Sequence, residues 1–269
     1  MNTTIVYPKN EEIKKYIKYF LFIKNDDEDY CNKHISYPNT NHCLGLLKNS
    51  RLIEKSDDDY TVSTKEGYHS YLTGIYTRPI RFNYSGVFDE ICIDFEPLGL
   101  EYFTNCQVSN FRFFNSAIEN FFSKAWHNIY HIAFKFDDPF IRAYLLEEFI
   151  LKNVKFNQHK KFIPFNRLNV SRVDELEQHL NLSYRSIHRL YSYSLGISPK
   201  EFLKISKFRK GIRDLNYYDS NHSQMAINIG YVDQSHFIRD FKNYTNLTPK
   251  QFAKKVTSIN NEVWLNTEE

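Results

Sequence analysis

The last third of the sequence spells the same order of signals twice: a short amphipathic helix, a tight break, and a second helix opened by a capping residue. The first occurrence runs Val173–Leu180, breaks at Asn181–Ser183 and resumes over Tyr184–Leu195. Its apolar positions Val173, Leu176, Leu180, Ile187, Leu190 and Tyr191 make one inward face across both helices. Ser183 is a side-chain acceptor at the N-cap, Gly196 closes the helix and Pro199 opens the next. The second occurrence runs Gln224–Ile229, turns at Gly230-Tyr231-Val232 and resumes over Asp233–Tyr244. Here Ala226 is small enough for two helices to cross closely, and Gly230 supplies a positive φ. Asp233 caps a helix whose inner face is Phe237, Phe241 and Tyr244, and Thr248-Pro249 opens a short helix through Phe252.

A continuous helix, roughly Pro199–Leu215, joins the two units through a stripe of Phe202, Ile205, Phe208, Ile212 and Leu215. Such a helix is about 25 Å long. It can therefore hold two protruding helices roughly one DNA turn apart, about 34 Å. A plain helical bundle is the competing reading, but it does not require caps, turns and linking helix in the same order twice.

Charge singles out the same region. Residues 154–256 hold 18 Lys and Arg against 8 Asp and Glu, whereas residues 1–153 hold 17 against 21. The last 13 residues carry three acids and no base, so the chain as a whole is only +3. A basic third inside a near-neutral chain fits a polyanion-binding module joined to something else.

The stretch Gly230-Tyr231-Val232-Asp233-Gln234-Ser235-His236-Phe237-Ile238-Arg239-Asp240-Phe241-Lys242, followed by Leu247-Thr248-Pro249-Lys250-Gln251-Phe252, resembles the signature of the AraC/XylS-type transcription regulators. Ser183, Arg185, Ile187, Arg189 and Leu190 fit that family's first recognition helix, and Gly196-Ile197-Ser198-Pro199 with Phe202 fits the start of its linking helix. One departure is Glu177, where the family usually has a small residue after Leu176.

The resemblance implies base-edge contacts by Arg185, His188 and Arg189 in the first unit, and by Gln234, Ser235, His236 and Arg239 in the second. Arginine can pair bidentately with guanine, and glutamine with adenine. Lys204, Lys207, Arg209, Lys210 and Lys242 are expected on phosphates, which position a protein without reading sequence. Each has a plainer alternative: Arg189 against Asp174 or Glu175, Arg239 against Asp240 or Asp233, and His236 as a capping or buried residue.

Upstream the sequence reads as an opening helix, Glu11–Phe22, followed mainly by strands. Asp26–Asp29 reads as an exposed loop, and Asp57-Asp58-Asp59 as a hairpin turn between Cys43–Ile53 and Tyr60–Ser63. Ser70–Tyr76, Ile80–Tyr84 and Glu90–Phe95 are further strands, the last with visible alternation, and together they suggest a small sandwich or barrel. Gly45, Gly74 and Phe95-Glu96-Pro97-Leu98-Gly99 are similar to the cupin-like sensor region of one subgroup of these regulators. From about residue 116 the period turns helical, with Asp138-Pro139 opening a helix that continues through Ile150. Lys152–Pro164 is the candidate linker.

The expected class is therefore α+β. Residues 1–110 form a β-rich, cupin-like sensor domain, 111–153 a helical connector or dimerisation segment, 154–256 an all-α double helix-turn-helix domain, and 257–269 a polar tail. The resemblance implies double-stranded DNA as partner, with a small-molecule effector and RNA polymerase as further candidates, and leaves monomer against homodimer open. No run of about 18 apolar residues and no signal-peptide layout is visible, so a cytoplasmic, membrane-free protein is expected. Cysteines 31, 43, 92 and 106 lack the spacing of a metal site or methyl-transfer centre, and His34, His42 and His69 are scattered. No catalytic residue, metal or cofactor is expected; a cupin-type metal enzyme and an interaction protein without DNA binding are the alternatives.

Overall fold

The structure, a computed structural model, describes residues 1–104, 112–153, 170–215, 222–260 and 263–267. Its N-terminal part is one sheet. The strands are β1 (Asn2–Val6), β2 (Ile17–Asn25), β3 (Cys31–Ser36), β4 (Cys43–Ser56), β5 (Asp59–Thr73), β6 (Ile80–Ser85), β7 (Phe88–Phe95) and β8 (Phe113–Asn115). The hairpin β9 (Val256–Ile259) and β10 (Val263–Thr267) joins the same sheet. Its order is β1-β2-β7-β4-β5-β6-β3-β10-β9, with β8 on β5. Ile259 of β9 packs against the cluster of Ile5 on β1 and Leu21 on β2, so the sheet curls into an open half-barrel rather than two stacked layers.

Strand β7 decides how this half-barrel is lined. It lies between β2 and β4 and is buried at every position. Ile91, Ile93 and Phe95 face the main core with Leu44, Leu46, Phe20 and Phe22. The intervening Glu90, Cys92 and Asp94 face the other side. Against the apolar side pack the helices α1 (Ala117–Phe121), α2 (Ile129–Ala133) and α3 (Pro139–Asn153), through Ile118, Ile129, Leu146 and Ile150, together with Trp126 from the 3-10 turn Lys124–Asn128. Each such side chain removed from water contributes about 1.5–3 kcal/mol. Asp138 caps α3, accepting the N–H groups of Phe140 and Ile141. Arg142 fastens α3 to β7 with two 2.7 Å bonds to Asp89.

Two readings of the sequence need correction. The expected opening helix Glu11–Phe22 is a single 3-10 turn, Ile13–Lys15, followed by β2. Phe20 and Phe22 face the main core while Tyr19 and Leu21 face the opposite side. A strand buried on both faces carries no polar alternation, and its apolar run mimics helical spacing. The expected polar tail after 256 is instead β9 and β10, and β10 pairs with β3 at Asn266↔Ile35 and Thr267↔His34. The hairpin turn at Asp57-Asp58 and the exposed Asp26–Asp29 loop are as expected. The candidate linker lies outside the described residues apart from Lys152 and Asn153, which end α3.

The C-terminal helices are α4 (Val173–Leu180), α5 (Tyr184–Ser194), α6 (Pro199–Asp214), α7 (His222–Ile229), α8 (Gln234–Thr245) and α9 (Pro249–Lys255). Their shared core includes Leu176, Ile187, Tyr191, Phe208, Phe237 and Phe241. It also takes in Tyr37, Ile75 and Leu98 from the sheet region, with the Tyr37 and Phe252 rings 4.9 Å apart. No described helix is long and apolar enough to cross a membrane.

Candidate nucleic-acid interface

Each protruding helix begins with a side-chain cap. Ser183 Oγ accepts the Ser186 N–H at 3.3 Å at the head of α5, and Asp233 Oδ1 accepts the His236 N–H at 2.7 Å at the head of α8. Ser198 and Thr248 cap α6 and α9 in the same way. Capping satisfies an N–H that the first turn leaves without a helical partner. Asp233→Ala is therefore expected to cost the domain about 1 kcal/mol, read as a lower urea midpoint with unchanged slope. Loss of stability below a few tenths of that figure would show the cap to be idle.

The turns are equally specific. Gly230 has φ +97°, a conformation that a residue with a Cβ rarely adopts. Behind α8, Gly211 lets α6 come close: a Cβ there would stand 3.0 Å from the Phe237 ring. Core residues thus fix the inner faces of α5 and α8, and the outer faces are free to carry recognition chemistry.

On α5, Arg185, His188 and Arg189 are all exposed. The alternative for Arg189 is not realised, because Asp174 is held by Arg172 and Glu175 accepts the Ser171 and Arg172 N–H groups. On α8, Ser235 and Arg239 are exposed. Gln234 is half-buried and accepts from Ser223 Oγ at 2.8 Å. His236 is half-buried too, with its ring edge-on to Tyr231 and Nε2 3.5 Å from the Asp240 carboxylate. Glu177 is half-buried on α4, where it does not stop Leu176 from being fully enclosed.

Among the expected phosphate contacts, Lys210 and Lys242 are exposed and Lys204 is half-buried. Two expectations are corrected. Arg209 is 7% exposed and faces the half-barrel rather than solvent. Lys207 donates to the Gly230 carbonyl at 2.9 Å and lies over the Tyr231 ring, and burial lowers its pKa. Its ammonium is spent on holding the second turn.

A second site escaped the sequence reading. On the sheet face opposite α1–α3 is a cavity of about 130 Å³, into which Arg209 reaches from α6. Glu90 sits in its wall, accepting from the Tyr71 and Tyr84 hydroxyls, and burial raises its pKa. Asn41 Nδ2 donates to Asp94 nearby. The signal was present in the alternation Glu90-Ile91-Cys92-Ile93-Asp94: polar residues on a fully buried strand point to an interior space. Among the described residues no group of three or more His, Cys, Asp or Glu side chains is placed to hold a metal ion.

Residues 176–255 match the family described as a helix-turn-helix domain. The C-terminal helices are an AraC-type helix-turn-helix domain. An uncharacterized HTH-type transcriptional regulator of Staphylococcus aureus strain MSSA476 is 28% identical to this chain over 111 residues. That match covers 41% of this chain and only 15% of the relative. A regulator of the same description from Haemophilus influenzae is 26% identical over 120 residues, covering 44% of this chain and 40% of its own length. Among solved structures, ToxT from Vibrio cholerae aligns over 86% of this chain and 97% of its own, at 13% identity and a TM-score of 0.43. A fatty-acid-bound form of ToxT from strain SCE256 aligns with a TM-score of 0.42 at 13% identity. The AraC-type domain thus accounts for the helices from α4 to α9, and the half-barrel stands outside the matched residues.

Proposed function

We propose that this protein is a sequence-specific, double-stranded DNA-binding transcription regulator whose two recognition helices, α5 and α8, enter successive major grooves. The observation that carries the reading is the pair of capped helices on one linking helix, with Arg185, His188 and Arg189 outward on one and Ser235 and Arg239 on the other. Gln234 and His236 contribute to the same face once their present partners are exchanged for base edges. Lys204, Lys210 and Lys242 supply phosphate contacts. A signal received in the half-barrel modulates binding through α6, whose Arg209 lines its cavity.

The test is titration of the full chain against the DNA upstream of its own coding sequence, across salt, with scrambled duplex as competitor. Preference for one segment, with affinity falling steeply as salt rises, supports the reading. Equal affinity for both duplexes at every salt concentration rules out sequence-specific binding by the protein in that state. Arg239→Ala is expected to weaken the preferred segment by about 5- to 150-fold, corresponding to about 1–3 kcal/mol, while scrambled DNA is bound nearly as before. An equal loss on both would move Arg239 to the phosphates.

A further inference from the structure

We infer that the half-barrel cavity takes a compact, uncharged aromatic molecule bearing a hydroxyl group, of the phenol class, and disfavours anions. The inference rests on the reading of this cavity as a signal site, but it concerns the ligand and can be measured without DNA.

Size is the first constraint. At about 130 Å³ the space is close to the roughly 150 Å³ of an apolar protein cavity that accommodates benzene. One ring with a small substituent fits. The walls set the second constraint: Tyr19, Tyr71, Phe82, Tyr84 and Phe113 surround the space with ring faces and edges. Aromatic rings favour offset or edge-to-face contact with another ring, beyond the gain from burial alone.

The polar groups set the third. Among the buried atoms lining the cavity, Asn41 Oδ1 and His34 Nδ1 have no hydrogen-bond partner among the described residues. Their residues are 7% and 6% exposed. The Asp94 carboxylate accepts from Asn41 Nδ2, which fixes the orientation of the amide and leaves Oδ1 as an acceptor awaiting a donor. His34 Nε2 lies 3.2 Å from the Tyr30 hydroxyl, which can donate or accept. His34 Nδ1 can therefore present either sense. A hydroxyl group donates and accepts at once, so it complements a fixed acceptor beside an adaptable nitrogen. A buried polar atom without a partner costs about 1–3 kcal/mol, which such a ligand relieves.

Charge sets the last. The cavity lining brings the Glu90 and Asp94 carboxyl groups together with the Arg209 guanidinium and with Met1, whose terminal ammonium acts on His34. Burial raises the pKa of Glu90, while the hydroxyls of Tyr71 and Tyr84 that donate to it act in the opposite direction. The two carboxyl groups are matched by the Arg209 guanidinium and the N-terminal ammonium, so no cation stands in excess for a carboxylate or phosphate. An anion would enter beside these two carboxyl groups with no cation in excess to offset its lost hydration.

Calorimetry on the full chain with four probes decides the matter: phenol, catechol, toluene and benzoate. Phenol or catechol should bind at millimolar concentration or tighter, at least about tenfold better than toluene or benzoate. His34→Phe keeps a ring against Tyr84 and removes the nitrogen, so it should weaken phenol binding while leaving toluene binding unchanged. The four-probe ranking on the unaltered chain stands even where that variant fails to fold. Toluene binding as well as phenol overturns the hydroxyl requirement, and benzoate binding best overturns the charge argument. No heat from any probe overturns the ligand class. Phenol binding that leaves DNA affinity unchanged supports the ligand assignment and counts against the cavity as a signal site.

Discussion

Arg142→Ala is expected to destabilise the protein by about 3–5 kcal/mol, the largest effect of any single polar substitution proposed for this chain. Arg142 is 2% exposed, and its guanidinium lies in two parallel 2.7 Å bonds against Asp89 of β7. A further bond reaches Asp137 at 3.3 Å, and Nε donates to the Phe136 carbonyl. Removing the side chain leaves the Asp89 carboxylate buried without its countercharge, and it is that orphaned charge, more than a lost attraction, that costs stability. Replacing both partners by apolar residues of similar size should therefore cost less than replacing one. Urea unfolding of Arg142→Ala, Asp89→Asn and the double variant Arg142→Met/Asp89→Leu measures this. A double variant no more stable than the singles would show that the pair is worth more than an apolar contact here.

The second large effect is acid sensitivity from His42. This residue is fully buried, and neither ring nitrogen has a hydrogen-bond partner among the described residues. Burial alone pushes its pKa down to about 4 from the ordinary 6.5. In the folded protein the ring stays neutral between these values, whereas in the unfolded chain it takes up a proton. The unfolded state thus binds more protons in that window, so stability falls as pH drops from 6.5 towards 4. The loss attributable to this one group is on the order of 3 kcal/mol. Urea midpoints at pH 7 and pH 4.5 should differ strongly for the unaltered chain and less for His42→Leu. Parallel pH profiles would show that His42 titrates normally and is reached by water.

These two groups illustrate what the sequence did and did not disclose. The helix-turn-helix units were legible because their signals are local: Ser183, Asp233 and Thr248 act on N–H groups three residues away, and Gly230 is demanded by its own φ. Arg142 and Asp89 are 53 positions apart, and nothing near either reveals the other. Arg209 was misassigned for a related reason. On α6 the helical period separates Phe208 and Ile212 from the basic residues, but it cannot tell which outward side meets solvent and which meets another part of the chain. Strand β2 failed in the opposite way, since burial on both faces erased the alternation that marks a strand. The cavity was half-legible: the alternation of Glu90, Cys92 and Asp94 was visible, and only the tertiary fold turns a polar face into the wall of a pocket.

The pairing of β10 with β3 ties the helical region to the half-barrel through main-chain hydrogen bonds. His34 lines the cavity, and its backbone is opposite Thr267 in the ladder, on the hairpin that runs back through β9 to the end of α9. The backbone of His34 is thus hydrogen-bonded, through β10 and β9, to a segment continuous with the last helix of the AraC-type domain. This connection runs through peptide groups rather than side chains, so it should survive extensive substitution along β9 and β10 and be lost when the ladder itself is interrupted.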